Sequence, residues 1–321
     1  MSSACNNLAT AKRNLSTVGV LLLVLCCALL AAGCGRGGAP GAAASRGRLT
    51  VVAAENFWGS IASQLGGTRA SVSSVIVNPN TDPHSYEPDA KDARALAGAQ
   101  MVIVNGIGYD SWAGRLLSAS PQPGRVVLNV GDLLGLHEGD NPHQWYSPAH
   151  VQVVVNGITA AYQRLDPAGA SYFARRRATL LSQGFARYDQ LRREIRARFA
   201  GAPVGYSESI FQPLGEDLGL RLMTPHGFAK AIADGTDVTA ADKQAVDTQA
   251  AERQIEVWVF NSQNVTPDVQ RVNDIVRERH IPLATVTETL APPGDSFQGW
   301  QVAQLERLLS ALRAAGGGRR A

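Results

Sequence analysis

Short apolar runs rich in Val and Ile alternate with stretches of helical periodicity from residue 49 onward. LTVVAAE (49–55), SSVIV (73–77), MVIVNG (101–106) and RVVLNV (125–130) predict buried strands, with helices after Phe57, around 89–99 and near Trp112. A second set follows: PVGYSES (203–209), RLMTP (221–225), IEVWVFNSQ (255–263) and IPLATVTET (281–289), with TAADKQAVDTQAAERQ and TPDVQRVNDIVRERH as helices between them. Strand–helix alternation on both sides of a midpoint predicts an α/β fold of two lobes, each with a mainly parallel sheet flanked by helices. The lobes are placed at 49–167 and 200–315, with a tail at 316–321. Between them Leu181, Phe185, Tyr188, Leu191, Ile195 and Phe199 recur at three- and four-residue steps. This predicts one long rigid helix over 168–199, about 48 Å at 1.5 Å per residue, weakened a little by Gly184. Its eight arginines read as a solvated face.

The N-terminal end has a different pattern. Lys12 and Arg13 precede an apolar run from Val18 to Ala32, and small residues then lead to Cys34 in LLAAGC. A positive region, a short apolar core and small residues are the parts of a cleavable leader, too short for a confident spanning helix. LLAAGC resembles the lipobox of bacterial lipoproteins, which implies a signal peptide at 1–33 and lipidation of Cys34; Ala31 stands where that pattern most often has Leu. Residues 35–48 are Gly, Ala, Ser and a few Arg, a flexible tether. An uncleaved N-terminal anchor would give the same topology, so the expected location is the extracytoplasmic face of the cell membrane.

Cysteine usage narrows the chemistry. The chain has Cys5, Cys26, Cys27 and Cys34, so cleavage leaves only Cys34 and the folded part has neither disulfide nor thiolate metal site. The formal charge is +3, of which Lys12 and Arg13 belong to the leader, leaving +1 for the rest. That balance argues against nucleic-acid binding. A monomer is expected.

Candidate chemistry lies in four loops at predicted strand ends. NPNTDPHSYEPDA (78–90) holds His84 among prolines that stiffen the connection, and NPHQWYSPAHV holds His143. GYSESIFQPLG holds Glu208, and ETLAPPGDSFQGWQ holds Asp295 just before the last helix. Ligands gather outside the carboxyl ends of strands in open α/β sheets, so two imidazoles from one lobe and two carboxylates from the other would meet across a cleft. Such a set suits one divalent first-row ion. Each residue also has a structural reading: Glu208 and Asp295 could cap the helices that follow them, and His143 could pack beside Trp145. His137, His150, His226 and His280 read as structural or surface residues, with His226 the nearest of these to the cleft. An enzyme is not expected. GYSES misses the nucleophile elbow G-x-S-x-G at Ser209, there is no HExxH, and four protein ligands would leave no open position for water.

TDPHSYEP, NPHQWYSP, a long central helix, SES before a helix ending in DLGL, and PPGDSFQGW, in that order over 49–315, resemble the metal-receptor family of ABC importers, solute-binding lipoproteins that capture zinc or manganese. The resemblance implies metal ligands at His84, His143, Glu208 and Asp295, and one Mn2+ or Zn2+ ion as transported ligand. It further implies a permease with a cytoplasmic ATPase as partner, membrane attachment through the N-terminal lipid, and in some members an adhesive role. Zinc receptors often carry a long His-rich acidic loop, and this chain has only LHEGDNPH (136–143) there. That and Glu208 in a place where many members have His favour manganese. A receptor for a siderophore or a cobalamin-like ligand on the same architecture is the alternative.

Overall fold

The computed structural model of the chain describes residues 47–79, 81 and 86–317. His84, Cys34, the leader, most of the tether and the last four residues of the tail lie outside them.

The first lobe is a four-stranded sheet of β1 (Leu49–Glu55), β2 (Ala70–Ile76), β3 (Met101–Val104) and β4 (Val126–Asn129) in the order β2-β1-β3-β4, all parallel. The central strands LTVVAAE and MVIV are buried almost throughout, as strands covered by helices on both faces must be. The edge strand β2 instead carries serines at exposed positions, Ser71 and Ser73, with Ser74 half-buried. Around this sheet lie α1 (Asn56–Gly66), α2 (Ala90–Gly98), α3 (Ser111–Ala119), α4 (Val130–Leu134) and α5 (Pro148–Leu165). Helix α2 starts sharply because Asp89 and Asp92 form a reciprocal cap, each carboxylate accepting the other's backbone N–H.

The second lobe repeats the plan. Strands β5 (Pro203–Tyr206), β6 (Arg221–Leu222), β7 (Val257–Asn261) and β8 (Leu283–Val286) are parallel in the order β6-β5-β7-β8. Helices α8 (Gln212–Asp217), α9 (His226–Ala233), α10 (Ala240–Ala251), α11 (Pro267–Glu278) and α12 (Phe297–Gly317) complete it. Seven of the eight strands fall inside the apolar runs that predict them, and β2 starts three residues ahead of its run.

The connection differs from a single regular helix. It runs as α6 (Ala170–Thr179), a π turn over Leu180–Gly184 and α7 (Ala186–Phe199), with the Phe185 N–H donating five residues back to the Leu180 carbonyl. The cause lies in the apolar stripe. The buried residue before Phe185 is Leu180 rather than Leu181, and only the wide turn sets a five-residue step on one face. One apolar cluster then runs from the first sheet through Phe173, Leu180 and Phe185 to α12 and the second sheet.

Candidate metal site

Three side chains offer donor atoms that all lie within 4.8 Å of one another: His143, Glu208 and Glu288, all buried. Glu208 lies two residues past the end of β5, and Glu288 two past the end of β8. Asn261 ends β7, which lies between those strands, and its Nδ2 donates to Glu208 Oε1 at 2.6 Å and to Glu288 Oε1 at 3.0 Å. Parallel register thus delivers two carboxylates and their common donor to one edge of the second sheet. The remaining oxygens are held too, Glu208 Oε2 by Asn264 Nδ2 at 2.7 Å and Glu288 Oε2 by the Tyr109 hydroxyl at 3.0 Å.

His143 comes from the other lobe, on the loop between α4 and the short turn Gln144–Tyr146. Its Nδ1 stands 2.8 Å from Asn141 Oδ1 and 3.3 Å from Ser209 Oγ. With Asn141 accepting, the proton sits on Nδ1 and the lone pair is left on Nε2, the tautomer a metal requires. Asn141 also donates from Nδ2 to the Ser209 carbonyl at 2.8 Å, tying the histidine loop to the segment that carries Glu208. Trp145 and Tyr109 pack edge-on to the imidazole, at 5.3 and 6.0 Å between ring centres.

Tyr109 is aimed by the loop after β3. Asp110 accepts the N–H groups of Asn105 at 2.6 Å and Gly106 at 2.8 Å, and residues 106 to 108 all have positive φ. Ile107 is held at φ +58°, a costly position for a β-branched residue. A Cβ at Gly106 would meet Asn129 Oδ1 at 2.1 Å, so only glycine fits there. Burial pushes Asp110 up to about 6 against those two N–H donors. Behind it Glu55, fully buried, is raised well above the usual carboxylate range by burial and then by the neighbouring Asp110 charge.

Two of the four residues expected from sequence, His143 and Glu208, are therefore brought together, and a second acid, Glu288, joins them. Asp295 is not in the group: its Oδ1 accepts the Ser296 N–H at 2.7 Å, and Ser296 Oγ accepts the Gly299 N–H at 3.1 Å, so the pair opens α12. Glu288 and Asn261 were missed. A usable signal was present, since TETL follows β8 at the same two-residue distance at which SES follows β5. His84 lies outside the described residues.

Two buried carboxylates this close repel unless a cation or donors compensate them, and an imidazole lone pair completes a set suited to a divalent ion. Two parallel sheets on a shared helical spine, with acid and imidazole donors converging at strand ends between them, define the class as a metal-ion solute receptor. The chain belongs to the family described as zinc-uptake complex component A, periplasmic, which it matches over residues 51–311. It is 26% identical over 278 residues to the manganese-binding lipoprotein MntA of Halalkalibacterium halodurans, covering 84% of this chain and 80% of that one. It is 23% identical over 259 residues to the high-affinity zinc uptake system protein ZnuA of Bacillus subtilis, covering 75% and 79%. The periplasmic zinc binding protein TroA of Treponema pallidum shares the fold at a TM-score of 0.70 and 19% identity, over 83% of this chain and 99% of that one.

Proposed function

We propose that this chain captures one divalent transition ion, manganese or zinc, outside the cytoplasm and passes it to an ABC importer, a membrane permease driven by a cytoplasmic ATPase. The observation that carries the reading is the convergence of His143, Glu208 and Glu288 within 4.8 Å, oriented by Asn141, Asn264 and Tyr109 respectively. That spacing is the scale of one ion, whereas a siderophore or cobalamin needs a cavity for an organic body. His84 is the proposed fourth ligand. In support, the carbonyl of Pro79, on the near flank of its segment, accepts from Gln263, whose Oε1 in turn accepts the Glu288 N–H. Two carboxylates against two imidazoles suit manganese, and the relatives' names cover manganese, iron and zinc alike.

We also place a leader at 1–33, a lipid on Cys34 and a tether to residue 48, so that a monomeric receptor works at the membrane surface. No helix among the described residues is long and apolar enough to cross a membrane. Cys34→Ala should then move the chain from the membrane to the soluble fraction.

Elemental analysis of the soluble domain purified without chelator, with thermal melts in added manganese, zinc and iron, tests the central claim. One equivalent of metal is expected, and at an ion concentration one hundred times Kd a stabilisation of about 2.7 kcal/mol. Absence of both metal and shift for every ion would refute the receptor reading.

A further inference from the structure

Gln263, two residues past the end of β7, is bonded at all four positions that a carboxamide offers. Its Oε1 accepts the backbone N–H groups of Glu288 at 2.7 Å and Thr289 at 3.0 Å. Its Nε2 donates to the carbonyl of Pro79 at 2.6 Å and to Thr289 Oγ1 at 3.0 Å. A flipped amide would set its hydrogens against two N–H groups and its oxygen against a carbonyl, so the chemistry of the partners fixes the orientation. The side chain is placed in turn by its own N–H, which donates at 2.9 Å to Oδ1 of Asn261, the residue whose Nδ2 holds both carboxylates.

One end of this amide therefore fixes the backbone of a proposed metal ligand. The other crosses to the opposite lobe, where Pro79 sits in a turn closed by the Thr81 N–H on the Asn78 carbonyl. We propose that Gln263 is a positioning residue that sets the register of the two lobes at the metal site, by tying the Pro79 turn of the first lobe to the Glu288 loop of the second, and that it thereby slows release of the ion. The proposal rests on the receptor reading for its effect on the ion, but not for the tie itself. Gln263 is not itself a metal ligand. It acts through Glu288 and through the Pro79 backbone.

The two ends can be cut separately. Gln263→Glu keeps an acceptor for the Glu288 and Thr289 N–H groups and loses the donor to Pro79; Gln263→Met keeps the length and loses all four bonds. The first readout is amide hydrogen exchange on the metal-free protein. In Gln263→Glu, exchange of the Thr81 amide is expected to rise about tenfold, the loss of one hydrogen bond, with the Glu288 and Thr289 amides unchanged. In Gln263→Met all three should speed up.

The second readout is release of bound manganese to an excess of chelator. Release from Gln263→Met is expected to be at least tenfold faster than from wild type, with association little altered. Unchanged Thr81 exchange in Gln263→Glu, or unchanged release from Gln263→Met, would overturn the proposal. If the wild-type protein holds no metal, the receptor reading fails by itself, and exchange in the metal-free protein still decides the tie.

Discussion

At the scale of single residues, the acids decide the most. Glu288 and Asp295 are seven positions apart in one loop, and only Glu288 reaches His143 and Glu208. Glu288→Ala is expected to weaken metal binding by two orders of magnitude or more. Asp295→Ala should leave affinity within about twofold and cost about 1 kcal/mol of stability, the loss of its hydrogen bond to the Ser296 N–H ahead of α12. Titration calorimetry and melts of the two variants check this, and the reverse ranking would return Asp295 to the site. Glu55 and Asp110 carry a different expectation. Both bind protons more tightly folded than unfolded, so their contribution to stability falls as pH rises from about 4, where unfolded carboxyls titrate, through the folded value of about 6 for Asp110. Glu55→Gln removes one member of the pair. Its melting temperature relative to wild type should therefore climb between pH 4 and pH 7. Parallel profiles would mean that the pair does not titrate in this range.

At the scale of elements, the π turn is the informative departure. An α-helix with one inserted residue keeps its faces in register before and after a π turn, so the insertion can be undone. Deletion of the exposed Gln183 should give a regular helix with Leu180 and Phe185 four residues apart, and should shift the melting temperature by only a few degrees. Deletion of the exposed Arg193, within regular α7, should instead rotate the flanking turns by about 100°. It would pull Ile195 out of line with Leu191 and prevent stable folding, which circular dichroism and melts would report. Equal tolerance of both deletions would show that the stripe does not set the helix. The strands were legible because each is a short Val- and Ile-rich run bounded by turn residues. The π turn was not, because Leu180 and Leu181 are adjacent leucines and only the partner surface decides which one is buried.

At the scale of the molecule, the two lobes share an apolar core rather than meeting across an open cleft. Tyr146 meets Trp300 edge-on at 5.9 Å, its hydroxyl donates at 2.8 Å to the Thr287 carbonyl, next to Glu288, and the Leu290 N–H donates to Asn56 Oδ1 at 3.1 Å. Wide hinge motion would expose these aromatic rings and break buried hydrogen bonds, so ion binding should proceed by small loop adjustments. Small-angle scattering with and without manganese is expected to give the same radius of gyration within error. A clear contraction on binding would require the shared core to open.

The sequence by itself determined the α/β class and the places of the strands, and it pointed to the two loops whose His143 and Glu208 the structure brings together. Apolar periodicity and turn residues are local signals, and both of those side chains sit in short motifs with a family likeness. It carried Glu288 only as a TETL at a strand end, overshadowed by the acid in PPGDSF. Tertiary structure chose between the two, because β8 and β5 flank β7 in one sheet and parallel register brings the residues two positions past each strand end to the same edge. The partners Asn261, Tyr109 and Gln263 belong wholly to that level of organisation. Their roles come from hydrogen bonds between segments as many as 184 residues apart, which no local pattern encodes.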